Sequence, residues 1–198
     1  IDGDQYLPPA IDRRPKLHLY TANIGLISGI AWDHINVFPT YESYVEQFRI
    51  FADNIPADGT LIYCEKDPEV KKVSESSSKS KKIAYSIPEH YTEKGITYLK
   101  TPENIPLGVF GDHNLMNIEG ARMVCEQIGV SSKGFYEAIS SFKGAARRLE
   151  LVDRSETSAV YKDFAHSPSK LMATTKAVKQ QFPDRKLIAC MELHTFSS

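Results

Sequence analysis

Short apolar segments recur along the chain, separated by polar or amphipathic stretches. Apolar runs of about four to eight residues bounded by turn residues are typical of β-strands. The predicted strands are LHLY (17–20), IGLIS (24–28), TLIYC (60–64), KIAYS (82–86), GITYLK (95–100), PLGVF (106–110), AVYKDF (159–164) and KLIACM (186–191). The residues Glu93-Lys94-Gly95 are predicted to form the turn before GITYLK.

Apolar residues also recur at helical spacing in several stretches, which predicts amphipathic helices. These helices span about 40–54, 114–128, 133–142 and 168–181. Thr40 offers an N-cap for the first helix. Gly129 suits the position just after the second. The polar, low-complexity stretch 74–82 is predicted to be a loop or a weakly ordered helix end.

The last predicted elements, from 159 to 191, follow a strand–helix–strand order. Such a βαβ unit implies a parallel sheet that holds ligands at the carboxyl ends of its strands. Together with the alternation of strands and helices upstream, it predicts the α/β fold class. A break near Phe142-Lys143-Gly144 is the predicted domain boundary, which divides the chain into residues 1–142 and 143–198.

Composition narrows the classes of function. The 198 residues are 41% hydrophobic, and 24 Lys and Arg face 25 Asp and Glu. A net charge of −1 gives no support for nucleic-acid binding, and no apolar run approaches the ~20 residues that span a bilayer. The three cysteines (Cys64, Cys125 and Cys190) lie in apolar stretches, so we expect buried, reduced thiols in a cytoplasmic protein. The chain begins in what we predict to be the end of a strand and stops in a polar loop after the predicted strand 186–191, where an α/β unit normally continues into a helix, so we expect a fragment of a longer protein.

Polar clusters follow several of the predicted strands. They are IDGDQ (1–5), WDHIN (32–36), GDHN (111–114), DFAHSPS (163–169) and ELHTFSS (192–198). Any one of them is explained by a capped helix or a turn, but α/β sheets hold substrates in such loops. Asp2, Asp4 and His34 offer oxygen and imidazole ligands that suit Mg²⁺ or Mn²⁺ better than a closed structural zinc site.

Two clusters allow more than one interpretation. Three roles are open for GDHNLMN (111–117): a helix cap, a metal site, or a ligand contact through Asn114 and Asn117. On a helix these two asparagines lie one turn apart. FKGAARRLE (142–150) places two arginines after a glycine. Two roles are open for them: binding a phosphate through both guanidinium nitrogens, or forming surface ion pairs with Glu150 or Glu137. The sequence contains no GxxxxGK[ST] phosphate loop.

The motifs DGDQY, ISGIAWDHINVF, GDHNLMN, FKGAARRLE and DFAHSPS, in this order, resemble the Mur ligase family of ATP-dependent amide ligases. The resemblance covers nearly the whole chain. It implies the second half of the central ATPase domain followed by the first part of a Rossmann-like C-terminal domain. The family's phosphate loop lies upstream of the matching region, so we expect this chain alone to be inactive.

The resemblance also implies roles for individual residues. Asp2 and His34 match metal ligands for Mg²⁺ or Mn²⁺, although Gln5 stands where the family usually has Glu. Asn114 and Asn117 match an Asn pair that contacts the adenine of ATP, with His113 beside them. The remaining matches are Arg148 at the ATP phosphates, Asp163 near the ribose and His166 in the DxxHxP loop, and Arg148 and His166 are the predicted catalytic residues.

The implied substrates are UDP-N-acetylmuramate and an amino acid or peptide amine, with no nucleic-acid or membrane partner. Within the family, PPAIDRRPKLHLY (8–20) is similar to the murein peptide ligase, which we prefer over the muramate–alanine ligase. ELHTFSS replaces a basic motif typical of the alanine ligase, and no counterpart of the family's carbamylated lysine occurs around 47–49. Two alternatives from other classes are a metal-dependent phosphohydrolase and a non-catalytic nucleotide-binding module.

Overall fold

A computed structural model describes residues 15–32, 37–77 and 79–191. The described residues divide into two compact units, of which the first ends at Ser86 and the second begins at Ile87. Helices and strands of both units together form an α/β fold, as predicted. The predicted boundary at 142/143 lies inside the second unit and stays a prediction.

The first unit contains a parallel three-stranded sheet. Its strands are β1 (Ile24–Ile27), β2 (Thr60–Cys64) and β3 (Lys81–Tyr85), in that spatial order. Two helices, α1 (Tyr41–Asn54) and α2 (Pro68–Ser76), connect them. Every residue of β2 is buried, as expected for the central strand of a parallel sheet. These strands confirm the predictions for IGLIS, TLIYC and KIAYS.

Helix α1 forms where the apolar periodicity predicts it. Thr40 is the N-cap, and its hydroxyl accepts a hydrogen bond from the Ser43 amide while the Ser43 hydroxyl faces the Thr40 amide. This capping box satisfies two of the backbone groups that a helix start leaves unpaired. Tyr44, Phe48 and Ala52 form the buried face and pack into the core of the first unit.

The helix α2 was not predicted, because it is only nine residues long and its apolar side consists of just two valines, Val70 and Val73. It begins at Pro68, and one oxygen of Asp67 accepts hydrogen bonds from the amides of Glu69 and Val70. The other oxygen accepts from the Ile30 amide at 2.8 Å, just beyond β1. Residues 74–76 belong to the end of α2, which matches the helix-end alternative predicted for part of 74–82.

The second unit contains two antiparallel sheets and three helices. Strands β4 (His90–Glu93), β5 (Ile96–Leu99) and β6 (Ile105–Leu107) form one sheet, and β7 (Glu150–Arg154) and β8 (Ala159–Lys162) form a hairpin. The helices are α3 (Asp112–Gln127), α4 (Ser132–Ile139) and α5 (Pro168–Gln181). The predicted turn at Glu93-Lys94-Gly95 joins β4 to β5, with positive φ angles at Lys94 and Gly95.

An aromatic cluster joins the hairpin to the rest of the second unit. The ring of Tyr161 on β8 lies 5.4 Å from that of Phe110, which precedes α3. Phe182, at the end of α5, lies 6.2 Å from Tyr161 and 6.3 Å from Phe110. Burial raises the pKa of the Tyr161 hydroxyl above its ordinary value, opposed by the nearby Arg154 and Arg185. These contacts place the start of α3 and the end of α5 side by side.

Several predictions at the strand level are wrong. A 3-10 helix spans Lys16–His18 and includes the first two residues of LHLY, which was predicted as a strand. Residues 186–191 (KLIACM) were predicted as a strand but form none. No strand among the described residues pairs with them, so their backbone lacks ladder hydrogen bonds. The strands at His90–Glu93 and Glu150–Arg154 were not predicted. The cysteines are free, but Cys190 is exposed and only Cys64 is fully buried.

Candidate functional site

The start of α3 carries the motif GDHNLMN. Gly111 is its N-cap at φ +90° and ψ 147°, and no side chain caps the helix among the described residues. The helix was predicted to begin at about 114, so it begins two residues earlier, and the interpretation that a side chain of this motif caps it is wrong. The first amides of α3 are left without the side-chain acceptor that Thr40 provides for α1.

His113 lies half-buried in the first turn of α3. Burial lowers the pKa of its imidazole, and the carboxylates of Asp163 and Asp112 oppose this effect. Asp163 therefore lies close enough to His113 to act on its charge, although the two belong to different motifs. A neutral imidazole offers one donor and one acceptor, which suits contacts to uncharged polar groups of a ligand.

Asn114 and Asn117 are one turn apart on α3, as predicted, but their environments differ. The Asn114 side-chain nitrogen donates to the Phe110 carbonyl at 2.9 Å, so this amide helps to hold the chain that enters the helix. Asn117 is exposed to solvent. Of the two amides, that of Asn117 is the more accessible to a ligand.

Asp163 follows β8 and is surrounded by hydrogen-bond donors. One carboxylate oxygen accepts from the Leu149 amide at 2.8 Å. The other accepts from the Ala165 amide at 2.9 Å and from the Thr174 hydroxyl of α5 at 3.1 Å. Asp163 thus connects three segments: the turn that carries Arg148, its own loop and α5.

Arg148 lies in that turn and its side chain is exposed. Its guanidinium carbon lies 5.7 Å from the centre of the Phe164 ring, a cation–π arrangement that supports the side chain from one face. The residues on either side, Arg147 and Leu149, have φ angles of +60° and +47°. Such positive φ angles are uncommon outside glycine and mark a tightly constrained turn.

The alternative of a surface ion pair for the two arginines is not observed. Glu150 accepts a hydrogen bond from the backbone amide of Arg147 at 2.7 Å, so its carboxylate closes the turn instead. Glu137 lies 4.0 Å from the Lys133 amine on its own helix. Among the described residues, neither guanidinium of the pair bonds to these carboxylates, and that of Arg148 stays accessible to an anion.

His166 lies in the loop before α5. Its Nδ1 is 2.9 Å from the Phe164 carbonyl and its Nε2 is 3.4 Å from the Lys170 amine. A carbonyl only accepts, so Nδ1 carries the proton and Nε2 faces the ammonium as an acceptor. The ring also meets Phe164 edge to face, with centroids 5.2 Å apart. Phe164 thus touches both predicted catalytic residues.

The structure brings most of the predicted nucleotide residues to one region. Asp163 lies near His113 and holds the turn of Arg148, while His166 and Arg148 share contacts with Phe164. Asp2 and His34, the predicted metal ligands, lie outside the described residues, as do Asp4 and Gln5. In the ranges 15–32, 37–77 and 79–191, no three His, Cys, Asp or Glu side chains gather as a metal site.

Sequence reasoning missed Phe164, Lys170 and Thr174. Phe164 is the second residue of the DFAHSPS motif and Lys170 directly follows it, but their residue types alone indicate no contact with Arg148 or His166. Thr174 looks like an ordinary helix residue, and nothing in the sequence shows that it reaches Asp163. These contacts depend on how the loop folds onto α5.

Residues 11–125 match the Mur ligase middle domain, and this match covers more than half of the chain. A UDP-N-acetylmuramate–L-alanine ligase from Desulfitobacterium hafniense (strain Y51) is 27% identical, with 98% of this chain and 46% of the relative aligned. The chain thus spans about half the length of this curated relative. None of the helices in the described ranges is long and apolar enough to cross a membrane.

Solved structures share the fold. MurF from Acinetobacter baumannii is similar with a TM-score of 0.69 at 16% identity, covering 86% of this chain and 39% of that one. A murein peptide ligase from Psychrobacter arcticus 273-4 is similar with a TM-score of 0.61 at 23% identity, covering 88% and 38%. At these identities the likeness concerns the fold. The family match over 11–125 and the gathered motifs lead to one conclusion: this chain belongs to the Mur ligase family.

Proposed function

We propose that this chain is part of an ATP-dependent amide ligase that joins UDP-N-acetylmuramate to an amine. The observation that carries the proposal is the position of Asp163, which holds the Arg148 turn and bonds Thr174 of α5, the helix whose Lys176 pairs with Asp112 at the start of α3. The exposed arginine of this turn and the half-buried histidine at the start of α3 suit the two ends of a nucleotide, the anionic phosphates and the uncharged base. Family membership supports the same reading.

The adenine would lie against the first turns of α3. Amide side chains carry both a donor and an acceptor, as does the edge of adenine. The Asn114 nitrogen is already bonded to Phe110, so we assign the larger share of base contact to the exposed Asn117. His113 and Asp163 would complete the nucleoside site, with Asp163 near the ribose.

Arg148 would bind the phosphates. Its guanidinium is exposed and rests on Phe164, so its charge is available to an anion without breaking an ion pair. In the proposed reaction a muramoyl carboxylate oxygen attacks the γ-phosphorus and ADP leaves. The amine then attacks the acyl carbon of the acyl phosphate and phosphate leaves. Arg148 stabilises the charge on the transferred group.

Mg²⁺ or Mn²⁺ would neutralise phosphate charge when bound. Asp2 and His34, the proposed ligands, lie outside the described residues, and no step is assigned to the metal. No GxxxxGK[ST] loop occurs in these 198 residues, so we expect the ligase reaction to require the full-length gene product. We place this protein in the cytoplasm, where its nucleotide substrates occur.

L-Alanine is the first candidate for the amine, because the D. hafniense relative carries the alanine ligase name. A whole peptide is the second candidate, on the similarity of PPAIDRRPKLHLY to the murein peptide ligase. The preference for the murein peptide ligase stays a prediction. A direct comparison of the two amines with the full-length protein separates the alternatives.

The decisive assay measures ADP release by the full-length protein with UDP-N-acetylmuramate and either L-alanine or the tripeptide. We expect release that requires both the sugar nucleotide and one amine. Phosphate release from ATP or from a phosphomonoester without an amine would instead indicate a phosphohydrolase. Nucleotide binding without any turnover would indicate a non-catalytic module.

Two substitutions test the residue roles. Arg148→Ala should reduce kcat/KM for ATP by about a hundredfold or more, as expected when a charge-stabilising group is lost. Lys162→Ala, which removes one exposed positive charge on β8, is its control. Asn117→Ala should weaken nucleotide binding, and Gln127→Ala near the other end of α3 is the matched amide control. Unchanged ATP use by both test variants would refute the site.

A further inference from the structure

Asp163 connects the Arg148 turn to α5, and one side chain of α5 completes this connection. The Thr174 hydroxyl lies 3.1 Å from an Asp163 oxygen and 3.0 Å from the Lys170 carbonyl of its own helix. A hydroxyl has one proton, so these two acceptors share it. A charged acceptor forms the stronger bond, which favours the carboxylate.

The neighbouring residue shows that this arrangement is particular to Thr174. The Thr175 hydroxyl donates to the carbonyls of Leu171 and Met172, at 2.8 and 3.2 Å, both within α5. Thr174 and Thr175 are both half-buried and of the same type. The two threonines differ in one respect: the first reaches the Asp163 carboxylate.

The Asp163 carboxylate must hold one orientation to serve the Arg148 turn. Its other oxygen accepts from the Leu149 amide at 2.8 Å, next to Arg148. Leu149 has a φ of +47°, a conformation that an L-residue with a branched side chain adopts only when neighbouring contacts hold it. The Ala165 amide and the Thr174 hydroxyl keep the second oxygen in place, which fixes the direction of the first.

We propose that Thr174 is a positioning residue that fixes Arg148 through Asp163. It touches no substrate. It anchors the carboxylate to α5, the carboxylate holds the Leu149 amide, and the turn then presents the Arg148 guanidinium on Phe164. This proposal rests on the proposed function for the role of Arg148, but the chain of hydrogen bonds is independent of it.

Three variants isolate the effect of the Thr174 hydroxyl on the Arg148 turn. Thr174→Val keeps the shape and removes the hydroxyl, Thr174→Ser restores the hydroxyl, and Thr175→Val removes the neighbouring hydroxyl that does not reach Asp163. The first readout is hydrogen exchange of the Leu149 amide in the full-length protein. We expect Thr174→Val to speed this exchange by about tenfold, because a hydrogen bond to a charged group is weakened. Thr174→Ser and Thr175→Val should stay near the wild-type rate.

The second readout is steady-state kinetics of the full-length protein. Thr174→Val should raise the KM for ATP several-fold and leave the KM for the amine unchanged, because Arg148 is proposed to bind the phosphates. A general loss of helix stability would lower the amount of active protein and thus the apparent kcat. It would not change the KM for ATP selectively.

The outcomes separate the two proposals. If the wild-type protein ligates but Thr174→Val matches Thr175→Val in Leu149 exchange and in KM for ATP, the positioning role is refuted. If the wild type shows no ATP-dependent ligation, the proposed function fails. Faster Leu149 exchange in Thr174→Val, with rescue in Thr174→Ser, would even then support the hydrogen-bonded link from Thr174 to the turn.

Discussion

Gly111 and Ala177 are in close contact where α5 crosses the start of α3. A Cβ atom placed on Gly111 would lie 2.4 Å from the Cβ of Ala177, closer than real Cβ contacts allow. The two elements pack this tightly because position 111 has no side chain. Glycine also permits the φ of +90° found there. The contact brings the start of α3, with the proposed nucleotide residues, within one helical turn of Thr174, the α5 residue that bonds Asp163.

Gly111→Ala should destabilise the protein and weaken nucleotide binding. The conformation of Gly111, with φ +90° and ψ 147°, lies near a region that only glycine adopts readily and costs about 1–3 kcal/mol for an L-residue, and the contact with Ala177 adds about 1–3 kcal/mol of overpacking. Gly129→Ala is the control: its φ is +87°, but nothing lies within 4 Å of the added carbon. Urea unfolding of both variants should show the larger loss for Gly111→Ala. Equal losses would mean that Ala177 is not a close neighbour.

The stability of the protein should depend on pH through His113. Burial lowers its folded-state pKa below the ordinary value of about 6.5, so the unfolded state binds a proton more readily. The stability that His113 contributes is fully present above pH about 6.5 and is lost as the pH falls through the lowered pKa.

His113→Gln, which cannot titrate, should therefore lose less stability than the wild type between pH 7.5 and pH 5. Urea midpoints measured across this range give the comparison, and the titration of all other groups cancels in the difference. Parallel curves for the two proteins would contradict a lowered pKa at this position.

The ion pair between Asp112 and Lys176 should contribute little by itself. The carboxylate and the amine are 3.0 Å apart, but 60% of the lysine side chain and 33% of the aspartate side chain are exposed. Lys176→Gln should cost less than about 1 kcal/mol. Asp112→Asn should cost more, because Asp112 also lies in the first turn of α3, where a negative charge is favourable by about 0.3–1 kcal/mol. Added salt should shrink both effects in urea melts.

The buried hydrogen bonds of Gln181 should contribute more to the free energy of unfolding than the ion pair between Asp112 and Lys176. Its oxygen accepts from the Thr97 hydroxyl at 2.9 Å and its nitrogen donates to the Gly95 carbonyl at 2.9 Å. Thr97 and Gln181 are both buried. Thr97→Val leaves the Gln181 oxygen without this donor and should cost about 1–3 kcal/mol.

Thr92→Val is the matched control for that substitution. Thr92 faces Thr97 across the β4–β5 hairpin, with the two hydroxyls 3.4 Å apart, but it is exposed. Its substitution should change the free energy of unfolding by less than about 0.5 kcal/mol. Similar losses for both threonines would refute the importance of the Gln181 contact.

Sequence patterns predicted the helices whose hydrogen bonds and capping contacts lie within the same segment of the chain. The helix at 41–54 has a capping residue, a full apolar stripe and a length that periodicity detects, and 168–181 was predicted with its bounds. Sequence patterns failed where the structure of a segment depends on pairing with another segment. LHLY and KLIACM are apolar enough for strands, but a strand forms only when another strand accepts its hydrogen bonds. The hairpin strand at 150–154 is polar and exposed, and only its pairing with 159–162 identifies it.

The sequence by itself determined the family and the candidate nucleotide residues, because the order and spacing of short motifs survive when much of the surrounding chain changes. Only the tertiary structure decided how those residues act together. It placed Asp163 between the Arg148 turn and Thr174, and it buried His113 near that carboxylate. Hydrogen-bond partners and burial depend on distances between segments far apart in the chain, and no local pattern records those distances.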